Sequence, residues 1–333
     1  MTSSTEFTWL PVTTMADGTE LRLPLHVMHG KHSGPTLGLT ALVHGDEAMP
    51  SIAIIRRLFE QLNPEELSGT IMAVPVCNPP AAGADTRNTP HDGVNLNDAF
   101  GEPGEDSTTI PTPTISGQIA GVLKEGFLKH LDYHIDFHTG DDAMSVNMIE
   151  FSEDEESIAM ARAFNMPVLL KDAWGDRQIW GASARAGAKV IVAEVGGGSM
   201  LFDQWLARGV EGTLNVMRGF GMIPGEVVPP PQQIVVNNSK GHHRNLVLLR
   251  SSAGGLLMPE PDITPQTSFE GKPLAGRRTL GKLINMYDLS VLETYETPFT
   301  NTVLLATAVN PSWHAPGDTL YIIADADLAE TWD

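Results

Sequence analysis

The 333-residue sequence predicts an α/β fold: a mostly parallel sheet with helices on both faces, followed by a small C-terminal all-β domain. Three observations carry that expectation. Through about residue 222, apolar runs of strand length alternate with segments of helical periodicity, the pattern of repeated strand–helix units. After Gly221 the texture changes, and Pro224, Pro229, Pro230 and Pro231 mark a linker-like stretch. Residues 243–325 then hold only short strand-like runs separated by Gly, Pro and Asp turns. The expected division is a catalytic α/β domain over 1–222 and a β-rich domain over 223–333 that helps to form the substrate pocket.

Taken in order, residues 6–30 hold short extended candidates, with Asp17-Gly18 and His29-Gly30 as turn signals. Residues 36–43 are mostly apolar and read as a strand buried on both faces. Pro50 stands near the start of the next helix, where its missing N–H costs little. Ile52, Ile55, Leu58, Phe59 and Leu62 then recur at helical spacing, with Arg56, Arg57 and Glu60 turned to water. Residues 69–76 form the next strand and run into 78–104, a long stretch of Pro, Gly, Asn and Asp without periodicity, which marks it as a functional or disordered loop. Helices are expected over 115–131, 153–164, 182–187 and 201–220, and strands over 133–137, 167–170 and 190–195. The C-terminal strands are the runs NLVLL, GGLLM, TLGKLI, TVLLATAV and TLYIIA.

The chain is acidic, with 41 Asp and Glu against 21 Lys and Arg, a formal charge of −20. Charge of that sign disfavours nucleic-acid backbones and anionic membranes, so neither is expected as a partner. The single cysteine, Cys77, excludes an intramolecular disulfide and any cysteine metal cluster. The opening residues MTSSTEFTWLPVTT show no basic region followed by an apolar core. No apolar run approaches the roughly 18 residues of a membrane span, and a cytoplasmic location is expected.

Polar chemistry gathers at predicted strand ends, where sites form in open α/β sheets: His44, Asn78, His138 and Glu194 all lie there. His44-Gly45-Asp46-Glu47 closes a dense apolar run and is followed at once by an amphipathic segment. An imidazole and a carboxylate three residues apart at a strand-to-helix turn can face one ion. Zinc takes N and O donors, and a catalytic site uses three protein ligands with one position left for water. His138 in HIDFHTG is the natural third ligand, giving one Zn2+ per subunit on His44, Glu47 and His138. Asp136, two residues before His138 on the same face of an extended strand, is the candidate acceptor for that ligand's second ring nitrogen. Either histidine alone reads equally well as an ordinary polar residue; the set gives the reading its weight.

Glu194 is the candidate general base, taking a proton from attacking water and delivering it to the leaving nitrogen. Arg87, in the long loop, is the candidate to stabilise the oxyanion of the tetrahedral intermediate. Asp141 and Asp142 follow His138 closely enough to be candidates for touching substrate, while the acidic run 153–156 reads as a solvated face. GGGSM lacks the GxxxxGK[ST] spacing of a phosphate cradle, and AGVLKEG is not a dinucleotide fingerprint.

With these residues in hand, the sequence resembles the succinylglutamate desuccinylase and aspartoacylase family, a branch of the zinc-carboxypeptidase-like fold. The family's H-G-D-E metal motif stands at His44, Gly45, Asp46 and Glu47, and its D-x-H-[ST]-G motif at Asp136, His138, Thr139 and Gly140. Its catalytic glutamate in an E-x-G context matches Glu194 with Gly196, and Arg87 lies where the family has its transition-state arginine. The resemblance covers most of the chain and implies a zinc-carboxypeptidase-like sheet, a small second domain and amide hydrolysis. One segment departs from it. The family reads D-L-N-R or N-L-N-R, whose asparagine and arginine bind a substrate carboxylate, whereas this chain reads Asn95-Leu96-Asn97-Asp98. Asn97 is retained as a substrate-binding candidate. Asp98, facing inward, would repel a carboxylate and attract an ammonium. Arg185, Arg177 and Arg87 are candidates for a displaced carboxylate clamp, with Arg185 best placed, shortly before the strand that carries Glu194. Trp174, Trp180 and Phe100 are candidates for pocket walls or for plain core packing.

The leading expectation is zinc-dependent hydrolysis of the amide bond of a small N-acyl amine or N-acyl amino acid. The amine part is cationic or neutral, as in an N-acetylated diamino acid. The partner is then a small-molecule N-acyl substrate, with a homo-oligomer left open. A metallo-carboxypeptidase or amidase acting on a peptide-like substrate is the second reading; the missing secretion signal and the missing arginine at residue 98 count against it. A non-catalytic binding protein comes last, because structural zinc has no use for a proton shuttle such as Glu194.

Overall fold

The computed structural model describes residues 3–47, 49–101, 113–141, 143–171, 175, 177–197, 200–228, 230, 232–238 and 245–332. The chain opens with an antiparallel hairpin of β1 (Ser4–Thr14) and β2 (Glu20–His29), longer than the short runs expected there. At its tip Gly18 adopts a positive φ and the Asp17 carboxylate accepts the Thr19 backbone N–H, a turn that those two residue types favour. The α/β units follow: β3 (His32–Thr40), α1 (Ser51–Gln61), β4 (Ser68–Val74), α2 (Pro79–Ala84), α3 (Ile115–Gly126), β5 (Tyr133–Gly140) and β6 (Met144–Phe151). They continue through α4 (Glu155–Ala163), β7 (Val168–Lys171), α5 (Ile179–Arg185), β8 (Lys189–Gly197) and α6 (Phe202–Gly219). The C-terminal part adds β9 (Gln233–Asn237), β10 (Leu246–Arg250), β11 (Gly255–Pro259), α7 (Pro265–Glu270) and β12 (Leu274–Ala275). It ends with β13 (Thr279–Ile284), β14 (Val291–Glu296), β15 (Asn301–Ala308), β16 (Ser312–His314), β17 (Thr319–Asp325) and β18 (Glu330–Trp332).

Among the described residues these strands form a mixed 14-stranded sheet with the main order β1-β2-β4-β3-β5-β8-β6-β15-β17-β10, and a separate sheet of order β14-β13-β11-β16. Strands β4, β3, β5 and β8 are the parallel centre, and antiparallel strands extend it on both sides. The C-terminal runs therefore divide: four strands make the small all-β sheet, and the others lengthen the large one. Strands β6 and β9 and helix α2 arise where the sequence signalled no element. Helix α3 stops at Phe127, whose side chain turns into the core, instead of continuing to residue 131. No helix among the described residues is long and apolar enough to cross a membrane.

Strand periodicity explains how one segment serves both core and site. Side chains alternate between the two faces of a strand. On β5, Ile135 and Phe137 enter the core with Ile54 and Leu58 of α1 and Trp205 of α6, and on β8 Ile191, Ala193 and Val195 join them. Burying each large apolar side chain contributes about 1.5–3 kcal/mol. The intervening residues, Asp136 and His138 on β5 and Val192 and Glu194 on β8, are thereby left to the opposite face. Packing of one face thus aims the polar residues of the other.

Candidate metal centre and active site

The turn after β3 is held by close packing on α2. A side chain at Gly45 would meet the Ala81 backbone at 2.1 Å, so this position admits only glycine, and the Gly45 N–H donates to the Thr86 carbonyl. That contact fixes the flanking His44 and Glu47, which are 2% and 5% exposed. Glu47 is shared by two imidazoles: its Oε1 lies 2.7 Å from His44 Nδ1 and its Oε2 lies 2.7 Å from His138 Nδ1. The far side of each ring has its own acceptor. His44 Nε2 is 3.0 Å from Asn95 Oδ1, and His138 Nε2 is 3.0 Å from Asp136 Oδ2. Asp136 is anchored in turn by the Thr40 hydroxyl at 2.6 Å, and Thr40 Oγ1 also sits 2.8 Å from His134 Nε2. Burial takes the His134 pKa down to about 4 and keeps that ring neutral, so Nε2–H donates to Thr40 and Thr40 donates to Asp136.

This donor set fits a zinc-type ion. The acceptors at Asn95 and Asp136 place each ring proton on Nε2, which turns two Nδ1 lone pairs toward one carboxylate. Such an arrangement is repulsive unless a positive charge stands among the three groups, whose ligand atoms all lie within 4.8 Å of one another. Two nitrogens and a carboxylate oxygen are the zinc donors of catalytic sites, and acceptors on the outer ring nitrogens are their usual support. In the ion-free chain a proton takes this place. Burial pulls His138 down, but the carboxylates of Asp136 and Glu47 outweigh it and hold the imidazole well above its ordinary pKa. Burial likewise raises Glu47, and the two histidines more than reverse that. An ion needs the His138 lone pair, so uptake displaces a proton and apparent affinity rises with pH. Calorimetric titration with Zn2+ at pH 7 in buffers of different ionisation enthalpy should show net proton release; no release would contradict this electrostatic account.

A cavity of about 590 Å³ opens onto His44, Glu47 and His138, and Glu194 and Arg87 line it with them. Glu194 pairs with His138 across β5 and β8, which brings its carboxylate to the same face. Burial pushes Glu194 up to about 8; the charges of Glu47 and Glu150 add to this, and His138 and Arg87 oppose it. Arg87 is 56% exposed at the mouth and donates from Nη1 to Glu47 Oε1 at 2.9 Å. Asn97 also lines the cavity, with its Oδ1 taken by the Ile179 N–H, so its Nδ2 is the donor left to the cavity side. Asp141 lines it as well, while its Oδ1 accepts the N–H groups of Ala143 and Met144 and shapes their turn. Trp180 is a wall residue, with its indole N–H on Gln178.

Two expectations require correction. Asp98 does not line the cavity: it ends the short turn Leu96–Asp98, whose Leu96 and Asn97 point inward and so carry Asp98 out to solvent. Arg185 does not line it either; it is exposed, and its Nη2 donates to the Phe100 carbonyl at 2.8 Å. Phe100 is wholly in the core, and Trp174 and Asp142 lie outside the described residues. Other wall residues carried no sequence signal. Glu150 comes from the unanticipated β6, His314 from β16 and Asp318 from the turn before β17, with His314 Nδ1 3.5 Å from Asp318 Oδ2.

A mixed α/β sheet with a buried His/Glu/His cluster at the carboxyl ends of its strands is the architecture of a metal-dependent hydrolase. Residues 33–220 match the succinylglutamate desuccinylase/aspartoacylase catalytic domain, and the chain belongs to that family. It is 28% identical over 203 residues to the N-alpha-acetyl-L-2,4-diaminobutyric acid deacetylase of Halomonas elongata, a match covering 58% of this chain and 57% of that protein's length. In fold it is similar to a succinylglutamate desuccinylase from a Silicibacter species, with TM-score 0.77, 23% identity and coverage of 98% and 95% of the two chains. It is also similar to the product-bound ectoine utilization protein EutE (DoeB) of Ruegeria pomeroyi, with TM-score 0.76, 22% identity and coverage of 97% and 95%.

Proposed function

We propose that the protein is a zinc-dependent deacylase that hydrolyses the amide bond of a small N-acyl amino acid or N-acyl amine, releasing a carboxylate and an amine. The observation that carries this reading is the meeting, in one cavity, of the His44, Glu47 and His138 cluster with the carboxylate of Glu194. Zinc, when bound by the three residues, supplies Lewis acidity toward the carbonyl and acidity to water. Glu194 takes the proton of the water as its oxygen bonds to the carbonyl carbon. The same carboxyl returns that proton to nitrogen as the C–N bond breaks. Arg87, at the mouth of the cavity, supplies positive charge for the oxygen that becomes negative. Asn97 orients the substrate through its amide N–H.

The charge of the cavity supports a cationic or neutral amine part, in place of the argument from Asp98. Asp46, Asp141, Glu150 and Asp318 line it, and among the described residues Arg87 is the lone Arg or Lys doing so. An N-acylated diamino acid suits that field, and the likeness to the diaminobutyrate deacetylase is in the same direction. Zinc-loaded protein assayed on N-acetyl-diaminobutyrate and N-acetyl-aspartate should favour the former in kcat/KM by tenfold or more. Preference for the aspartate derivative would sink the charge argument.

A further inference from the structure

Resting on the reading of this site as a deacylase, we infer that the acyl group it takes is an unbranched aliphatic chain of medium length, well beyond acetyl. Val146 on β6 pairs with Ala306 on β15, Ala306 pairs with Ile322 on β17, and Ile322 pairs with Leu248 on β10. Paired residues share a face, so these four side chains form one row across four strands, which passes the bulge between Leu304 and Ala306 on β15. All four line the cavity that holds the metal ligands. Neighbouring strands lie about 4.8 Å apart, so the row is roughly 14 Å long. With C–C bonds of about 1.5 Å set in a zigzag, a chain of about eight to ten carbons spans roughly 9–11 Å and fits within the row.

The row starts at the reacting end. Its inner neighbour is Gly196 on β8, which pairs with Val146 and stands two residues past Glu194. Its inner members are the small Val146 and Ala306, and its outer members are the larger Ile322 and Leu248. Those outer two are partly exposed, toward the cavity they line. Met148 and Leu246 continue the aliphatic surface one position to the side on the same face. An acetyl group reaches neither outer member and leaves the partly exposed Ile322 and Leu248 in water, whereas Val146 and Ala306 are already buried. The charged groups of the cavity beyond the metal cluster and Glu194 are Arg87 and the carboxylates of Asp46, Asp141, Glu150 and Asp318, and none of them is a member of this row. The amine product carries positive charge after hydrolysis and belongs with those carboxylates, which leaves the uncharged acyl chain to the row.

The test is a series of N-acyl-diaminobutyrates from acetyl to decanoyl on the zinc-loaded chain, beside N-acetyl-alkylamines of matching length. Burial of each methylene is worth about fourfold, so kcat/KM should climb by that factor per carbon to about eight carbons and then level. Hydrolysis of the series with acetyl preferred, or with no dependence on length, overturns the inference and leaves the deacylase reading standing. A rise confined to the alkylamine arm overturns it by giving the row to the amine. Hydrolysis of none of them removes the deacylase reading itself. Two variants locate the effect: Ala306→Leu, which fills the row, and Leu248→Asp at a partly exposed position that tolerates a polar group. Each should lower the octanoyl-to-acetyl ratio of kcat/KM at least tenfold, and an unchanged ratio in the folded variants overturns the assignment. Binding gives a readout apart from turnover. Octanoate should bind the Glu194→Gln protein at least tenfold more tightly than acetate, and equal affinity counts against the row.

Discussion

Glu194→Gln is expected to lower kcat by about 10²–10⁴-fold, the usual contribution of a positioned general base, while zinc content is unchanged. The residue lies outside the His44, Glu47 and His138 cluster, so the substitution removes the proton acceptor and spares the ligands. The fold should tolerate it. In the ion-free chain burial pushes Glu194 up to about 8, so at neutral pH it is already mostly protonated, and a neutral amide of the same shape replaces it closely. The sign follows from linkage. A carboxyl whose folded pKa is raised opposes folding once pH exceeds its unfolded value near 4.3, and glutamine removes that cost. Metal analysis, kinetics and a melting curve on one preparation decide the matter. Activity above a tenth of the parent, with zinc bound, would mean that Glu194 is not the base.

His138→Ala is expected to remove both the metal and the activity, and to destabilise the chain. The imidazole stands between the carboxylates of Glu47 and Asp136, which are 5% and 0% exposed. Deleting it leaves two buried charges without their shared partner, a change that costs roughly 3–5 kcal/mol. Asp136→Asn is the graded control. Losing an outer partner of a ligand costs about 10–100-fold in metal affinity, so this variant should bind zinc weakly yet reach near-parent activity at saturating metal. Zinc affinity by competition with a chromophoric chelator, with chemical denaturation of the ion-free proteins, separates the two. Full zinc occupancy in His138→Ala at micromolar metal would exclude His138 as a ligand.

Much of this architecture could be read in the residues because strong local rules wrote it. The helices with clear apolar periodicity, such as α1 and α6, form close to where 3.6-residue spacing places them. His44, Glu47 and His138 share one short-range grammar, polar residues ending apolar runs, and the fold brings those ends together. What escaped was set by long-range pairing. Strand β6, MSVNMIEF, mixes polar and apolar residues on both faces: Met144, Val146, Met148 and Glu150 line the cavity, while Ser145 and Asn147 are buried on the other face with Ile149 and Phe151. Its antiparallel neighbours β8 and β15 lie far away in sequence, so no local pattern announces those pairings. Asp98 failed for a geometric reason. One residue of rotation within a short turn decides whether a carboxylate faces a ligand or the solvent, and the sequence of that turn, Leu96-Asn97-Asp98, permits both. Thr40 passed unnoticed because a hydroxyl at the end of an apolar strand carries no mark until Asp136 is placed beside it.

The paired row across β6, β15, β17 and β10 also bears on how this scaffold diversifies. The C-terminal strands are zipped to β6 by only three residue pairs, Ala306 with Val146, Thr307 with Ser145 and Ala308 with Met144. The row's strands β15, β17 and β10 are thus encoded apart from His44, Glu47 and His138, and the C-terminal part meets the α/β part at this short seam and at the parallel pairing of β9 with β7. Exchanging the C-terminal segment for that of a relative transplants the floor of the pocket without touching a metal ligand, provided the seam keeps its phase. A slip of a single residue sends Ala306 and Ile322 to the opposite face and presents their neighbours Leu305, Thr307, Tyr321 and Ile323 instead. Recombination at this seam is a discrete gamble on register, and its successful products are new specificities on an old reaction.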